Sequence, residues 1–296
     1  MLLYPAGVRR AHRPRPAAII AAGREAVETP IIVGDRLNTS EKGRAALTDV
    51  RFNTIPSIFM PTHLFPDLPA DDAERLRSVR TFEVLPTLTE PVFNEFVALT
   101  ARIFNLPISL ISVVEEKEVY YQANFGMPGH KQQPRAETLC STAIARAQAV
   151  VYHDVALEDE STVPQEALQA AQRNAVRFYA GALLHLPDQR PLGTLCIIDR
   201  QPRAFTPDEQ HILELLAGLV SQTIAVWHLC YLHPGSGEEK WARLSADLEE
   251  EVQALNALVR YLFVRHGSQI PVPADFLGQV ESRLRDLQAI LRDFQL

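Results

Sequence analysis

The sequence predicts an α+β fold: a central antiparallel sheet with helices on one face and a ligand-type cavity on the other, followed by C-terminal amphipathic helices. Two apolar runs, from Val176 to Leu186 and from Leu192 to Asp199, are separated only by Pro187, Asp188, Gln189, Arg190 and Pro191. Strand-like runs with so short a polar, proline-flanked joint read as a β-hairpin. Neither run alternates cleanly. Phe178, Ala180, Ala182 and Leu184 are apolar at even positions, and so are Tyr179, Leu183, Leu195 and Ile197 at odd ones. A sheet that is apolar on both faces has to be covered on both. One cover can be helices, and the other can enclose a pocket.

The elements follow in order. Asp71, followed three residues later by Glu74, reads as a helix start, continued by Leu76, Val79 and Arg80. Thr89 is read as the cap of a second helix with Pro91 in its first turn, where Phe93, Phe96, Val97, Ile103 and Phe104 form one stripe. PISLISVV from Pro107 and VYYQANFG from Val119 are strands joined by the charged turn at Glu115. Gly126, Pro128, Gly129 and Pro134 mark a loop, after which Thr138 opens a short helix containing Cys140. Val150 begins another strand, and a helix over Pro164 to Arg173 leads into the hairpin.

The following helix starts with a full set of signals. Thr206 caps, Pro207 suits the first helical position and Glu209 closes a capping box. Its stripe is Ile212, Leu215, Leu216, Leu219, Val220, Val226 and Trp227. HPGSG at His233 marks a joint. Beyond it, Trp241, Leu244, Leu248, Val252, Leu255, Val259 and Leu262 follow spacings of three and four, as do Phe276, Val280, Leu284, Leu287, Leu291 and Phe294. Each seam is near the lower limit for an independent coiled coil, so these helices need each other, the preceding domain or a second chain.

Composition narrows the function classes. The chain has 296 residues, 47% of them apolar, enough for a sizeable core. Residues 1–51 carry a balance of +4 and the rest −11, for a net charge of −7. An acidic folded part gives no electrostatic reason to bind nucleic acid or an anionic membrane. No uninterrupted apolar run approaches the roughly 18 residues that signal a membrane span. Three cysteines, Cys140, Cys196 and Cys230, show no CxxC spacing, which fits a reducing cytoplasm better than a disulfide framework or a zinc site. Residues 1–70 contain RRAHRPRP and no sustained period, and are expected to be a poorly structured leader, with Met60 as an alternative start. Pro14 and Pro16 interrupt the amphipathic helix that a transit peptide would need.

The stretches ERLRSVRTFEVL at Glu74, TEPVFNEFVALTARIFNLPISLISVVEE at Thr89, ETLCSTAIA at Glu137, VRFYAGALLHLPDQRPLGTLCIIDR at Val176 and FTPDEQHILELLAGLV at Phe205 together resemble a GAF domain of the bacterial sensory subgroup. The resemblance covers residues 72–231 and leaves 238–296 as a C-terminal helical segment, either a helical hairpin or signalling helices. It implies a GAF-like sheet with a ligand cavity, and a homodimer formed through the terminal helices. It also implies a sensor that binds a small molecule of unknown identity and passes the signal to a separate output protein, since the residues after Tyr231 are too few for a kinase or a nucleotide cyclase. No cofactor is named by these residues. The alternative is a structural dimerisation module that binds no ligand.

Candidate site residues come from two sources. Arg177 and Tyr179 stand two apart on a strand and offer a guanidinium and a phenol to a polar ligand, unless Arg177 pairs with Asp154 or Asp199 and Tyr179 fills core. Tyr121, Arg135 and Cys140 belong to segments that roof the cavity in the resembled family. Free cysteines usually pack as small hydrophobes, which is the ordinary expectation for all three thiols. A bilin attached through cysteine is commonly accompanied by histidine, whereas Ser141 follows Cys140. The free methionine-(R)-sulfoxide reductases, also GAF proteins, need a second cysteine ahead of the final hairpin, and residues 150–190 contain none. His130, His153, His185 and His211 lack any metal-ligand spacing, and no phosphate loop or nucleophile elbow is present. No catalytic or metal residue is therefore assigned, and the chain is expected not to be an enzyme.

Overall fold

The computed structural model describes residues 72–294, so the expected leader lies outside the described residues. Its centre is a six-stranded sheet built from two three-stranded meanders. β1 (Ile108–Val114), β2 (Glu118–Phe125) and β3 (Gln132–Pro134) form one, and β4 (Val150–Tyr152), β5 (Phe178–His185) and β6 (Pro191–Asp199) the other. β1 joins β6 in the middle, giving the order β3-β2-β1-β6-β5-β4 with every neighbour antiparallel. Gly193 permits the central join, because a Cβ there would stand 1.8 Å from the Ser112 carbonyl oxygen. Only a residue without a side chain allows β1 so close.

The hairpin is where it was expected, but the register redistributes its residues. Ala180 faces Ile197 and Ala182 faces Leu195 across the strands, so odd positions of β6 share a face with even positions of β5. Phe178, Ala180, Ala182, Leu184, Leu195 and Ile197 pack toward the long helices, together with Ile111 and Val113. Tyr179, Cys196 and Ile198 turn to the opposite face with Leu110 and Tyr121. Leu195 and Ile197 thus lie with the even-numbered set rather than opposite it.

Eight α-helices surround the sheet among the described residues: α1 (Asp72–Phe82), α2 (Val84–Thr87), α3 (Pro91–Ile103), α4 (Leu139–Arg146), α5 (Gln165–Arg173), α6 (Pro207–Tyr231), α7 (Ser236–His266) and α8 (Ala274–Arg292). α3 and α6 pack on the first face, while α4 and α5 cover the second. Two sequence expectations need correction. Glu90, not Thr89, is the residue at the N-cap of α3; the Thr89 hydroxyl instead donates to the Pro86 carbonyl at 2.6 Å. α6 is also long and apolar enough by length and composition to cross a membrane, although no uninterrupted apolar run suggested one. Packing accounts for that composition, since Ile212, Leu213, Leu216, Leu219, Val220 and Ile224 are buried in the core.

The seams of α7 and α8 are filled within the chain. Trp241, Leu244, Leu248, Val252, Leu255, Val259 and Leu262 are buried against α3 and α6, and Phe276, Val280, Leu284, Leu287 and Leu291 against α6 and α7. Of the three kinds of partner open to them, these helices take each other and the preceding domain. Polar contacts set the docking. The Thr206 capping box forms as expected. Its Glu209 carboxylate also accepts from Arg203 Nη2 at 2.7 Å and from the Val272 amide at 3.1 Å, while Arg203 Nη1 donates to the Phe104 carbonyl at 2.6 Å. Farther along, Arg102 Nη1 donates to Asn256 Oδ1 at 2.9 Å.

α1 is held by a second buried carboxylate. Asp72 accepts from Arg75 Nε at 2.8 Å and from both terminal nitrogens of Arg135 at 3.1 and 3.2 Å. Arg75 also donates to the Val114 carbonyl at 2.9 Å, and Arg135 to that of Glu115 at 3.2 Å. Burial pushes the Asp72 carboxyl upward, but the hydrogen bonds and charges of the two guanidinium groups outweigh it and hold it below its ordinary 3.8. A carboxyl depressed in the folded state stabilises the protein above its unfolded value, and that contribution disappears as pH falls through the folded one. Asp72→Asn is therefore expected to cost about 1–3 kcal/mol at pH 7, with the gap to the native chain closing as pH drops below 3.8. Urea unfolding over a pH series checks it; a gap that stays constant with pH contradicts the assignment.

On the second face, Tyr179 leans along β5 across Gly181, where a Cβ would meet the Tyr179 hydroxyl oxygen at 2.5 Å. Gly181→Ala should cost about 1–3 kcal/mol through overpacking, and measurably less in a Tyr179→Phe background, because the nearest clashing atom is then gone. A double-mutant cycle in urea checks this; equal costs in the two backgrounds contradict it.

Candidate functional site

The cavity lies on the second face of the sheet. Its floor is the alternate set of strand residues, including Leu110 of β1, Tyr121 of β2, Tyr179 of β5 and Ile198 of β6. Its cover is made of small pieces: the loop around Met127 and His130, the 3₁₀ turn Arg135–Glu137, α4 and α5. α5 turns Ala167, Ala170 and Ala171 inward. Alanines cover a face closely and make a low ceiling, and the cavity beneath holds about 50 Å³.

Thr138 caps α4 as expected, its hydroxyl oxygen accepting from the Ser141 amide at 3.3 Å. That fixes Cys140 in the first turn, 3% exposed, pointing at the floor. The Tyr179 hydroxyl donates to Cys140 Sγ at 3.4 Å and lies 3.5 Å from Thr194 Oγ1. Thr194 Oγ1 in turn lies 2.9 Å from Ser112 Oγ. Cys140 and Cys196 lie in one buried cluster, where each thiol shifts the other. The Cys196 thiol, opposed by burial and assisted by the Ser112, Thr194 and Tyr179 hydroxyls, draws Cys140 down. The Cys140 thiol, added to burial, pushes Cys196 up. Burial, with the thiols beside them, raises both Tyr121 and Tyr179 well above the usual phenol value, so both remain neutral donors at physiological pH.

At the mouth, the Tyr121 hydroxyl donates to Gln133 Oε1 at 3.3 Å, and the same oxygen lies 3.3 Å from His130 Nε2. Gln133 Nε2 donates to the Glu137 carbonyl at 2.7 Å. Glu137 also forms an exposed ion pair with Arg173 at 2.7 Å, which ties the turn to the end of α5. The arrangement can hold a small polar molecule by neutral hydrogen bonds. Among the described residues no group of three or more His, Cys, Asp or Glu side chains is placed to hold a metal.

Tyr121, Cys140 and Tyr179 all line this cavity. Arg135 and Arg177 are not among the lining residues. Arg135 is spent on Asp72 beneath α1. Arg177 makes a two-pronged pair with Asp154, at 2.7 and 2.6 Å, and its hydrogen bonds hold the Asp154 carboxyl below the usual range. This is the pairing open to Arg177 from the outset. His153 takes a structural place as well, with Nδ1 accepting from the Phe205 amide at 3.2 Å. Gln133 was missed because its strand β3 is only three residues long and ends in Pro134, so it reads as loop. Its polar alternation is too short to carry a period.

The GAF domain family model matches residues 89–224. A cyclic di-GMP phosphodiesterase of Pseudomonas aeruginosa is 30% identical over 195 residues, covering 65% of this chain and 32% of that protein, so the chain spans about a third of this relative's length. Similar solved structures include the GAF domain of an Acinetobacter phosphoenolpyruvate-protein phosphotransferase, at 16% identity and a TM-score of 0.37, covering 51% of this chain and 92% of that one. A type II free methionine-R-sulfoxide reductase from Thermoplasma acidophilum, at 17% identity and a TM-score of 0.37, covers 46% and 94% respectively. Residues 89–224 of this chain are therefore a GAF domain.

Proposed function

We propose that the chain is a cytoplasmic, non-enzymatic sensory module that receives a small molecule beneath the cover of the second sheet face and signals its presence through the helical layer to a separate output protein. The observation that carries this reading is the asymmetry of the two covers. Long helices with continuous buried seams close one face. The other is closed by helices of eight and nine residues and a loop, over a floor of neutral hydrogen-bonding groups. The Glu137–Arg173 pair across that cover is exposed and worth only about 0–1 kcal/mol, so opening costs little there. Similarity to a cyclic di-GMP phosphodiesterase supports a regulatory role beside an enzyme of that kind. Signalling then requires the ligand to favour one helical packing over another, and the size of that preference limits the response.

A specific observation favours a second reading. The cavity of about 50 Å³ is well below the roughly 300 Å³ of ordinary ligand sites, as a structural module with a closed face would have. Native mass spectrometry of protein purified from its source decides between them. A co-purifying mass that is lost on denaturation is expected for the sensor, and the bare chain in every preparation supports the structural module instead. The proposal includes a homodimer. With the seams of α7 and α8 occupied, the apolar side chains still exposed on the terminal helices are Leu229, Tyr231, Leu232, Tyr261 and Val264. Light scattering behind size exclusion is expected to give twice the chain mass, falling toward one on Tyr231→Glu; a native chain of single mass removes dimerisation from the proposal.

A further inference from the structure

Cys140 and Cys196 come from different layers: one from α4 in the cover, the other from β6 in the floor. Both are buried in the same cluster, 3% and 0% exposed, and the Tyr179 hydroxyl that donates to Cys140 lies over Gly181, the residue paired with Cys196 across the strands. Around them stand three hydroxyls in an otherwise apolar region. Tyr179 donates to Cys140 at 3.4 Å and lies 3.5 Å from Thr194, which in turn pairs with Ser112 at 2.9 Å. Hydroxyl donors grouped around two neighbouring thiols can stabilise a thiolate on the member that lines the cavity. Cys140 lines the cavity and Cys196 does not. A volume of about 50 Å³ has room for a molecule as small as hydrogen peroxide. Cys230 is remote from this cluster, buried among the helices on the other face.

We propose that Cys140 and Cys196 are a redox pair that a small peroxide oxidises to a disulfide, covalently fastening α4 to β6 across the cavity. The Cys140 thiolate attacks one oxygen of hydrogen peroxide; the O–O bond breaks and hydroxide leaves, taking a proton to become water. Cys140 is then a sulfenic acid. The Cys196 sulfur attacks the Cys140 sulfur, the S–O bond breaks, and a second hydroxide leaves with the Cys196 proton as water. Two thiols are oxidised by two electrons, one peroxide is reduced and two waters are formed. The bond closes the cover that the sensor reading needs to open, so the inference adds a regulation to that site and uses the reading only to say what is regulated.

The test uses the full chain, reduced and then exposed to a modest excess of hydrogen peroxide. Among the described residues there are three free cysteines; alkylatable thiols in denaturant are expected to fall from three to one and to return with dithiothreitol. Peptide mapping is expected to give a Cys140–Cys196 linked fragment within a single chain. With Cys196→Ser, Cys140 is expected to retain one oxygen that a sulfenic-acid reagent traps, and Cys196→Ala provides the same readout if the serine variant misfolds. Three thiols surviving in the native chain, a link involving Cys230, or a link between chains would overturn the proposal. A mass gain lost on denaturation reports only a held ligand, so failure of the sensor reading leaves the linked fragment as an independent result.

Discussion

The Glu209 carboxylate gathers four parts of the chain at one point. It lies at the start of α6, fully buried, and receives Arg203 from the turn after β6, the Thr206 amide of its own cap and the Val272 amide from the segment entering α8. Arg203 extends the link to the end of α3 through the Phe104 carbonyl. A buried carboxylate is tolerable only when charge and lone pairs are both answered, and here each partner comes from a different element. Apolar stripes by themselves allow helices to slide or rotate against one another. A charge that must meet three donors fixes the relative position of α3, α6 and α8, and so determines which side of the sheet is left for the smaller cover.

Much of this was legible locally. The Thr206 box, the stripes of α6, α7 and α8, and the proline-flanked hairpin are short-range patterns, and they appear as read. What escaped depends on register or on distance. Leu195 and Ile197 were assigned by parity to one face, but parity relates to a face only once the partner strand is known, and the pairing of Ala180 with Ile197 reverses the reading. The role of Glu209 beyond its cap was invisible because Val272 lies 63 positions away. Arg135 and Arg177 drew attention as charges near a pocket, yet a guanidinium near low-dielectric surroundings is stabilised by the closest carboxylate, and Asp72 and Asp154 were available. The nearness of Cys140 to Cys196 required knowing that α4 lies over β6, which no spacing reveals.

The two faces of the sheet do different work with similar materials. Toward the long helices, aromatic and branched side chains interlock at depth, a packing in which lost volume is costly. Toward the cavity the same strands present Tyr179, Thr194, Ser112 and two thiols, while α5 answers with alanines. Small residues and hydroxyls give that layer fewer strong packing commitments and more hydrogen bonds that can change partner. A rigid scaffold with one less tightly committed face is what the recognition proposed for the second face calls for.

The strand order has a consequence for encounters between molecules. The sheet ends on β3 and β4, each only three residues long, whereas its longest ladders are interior. Short margins offer a passing chain almost no backbone to pair with, a recognised protection against the stacking that leads to fibrils. Proline at the end of β3 removes one of the few amides left on that border. At the β3 and β4 borders, one molecule therefore gives the next little backbone to build on.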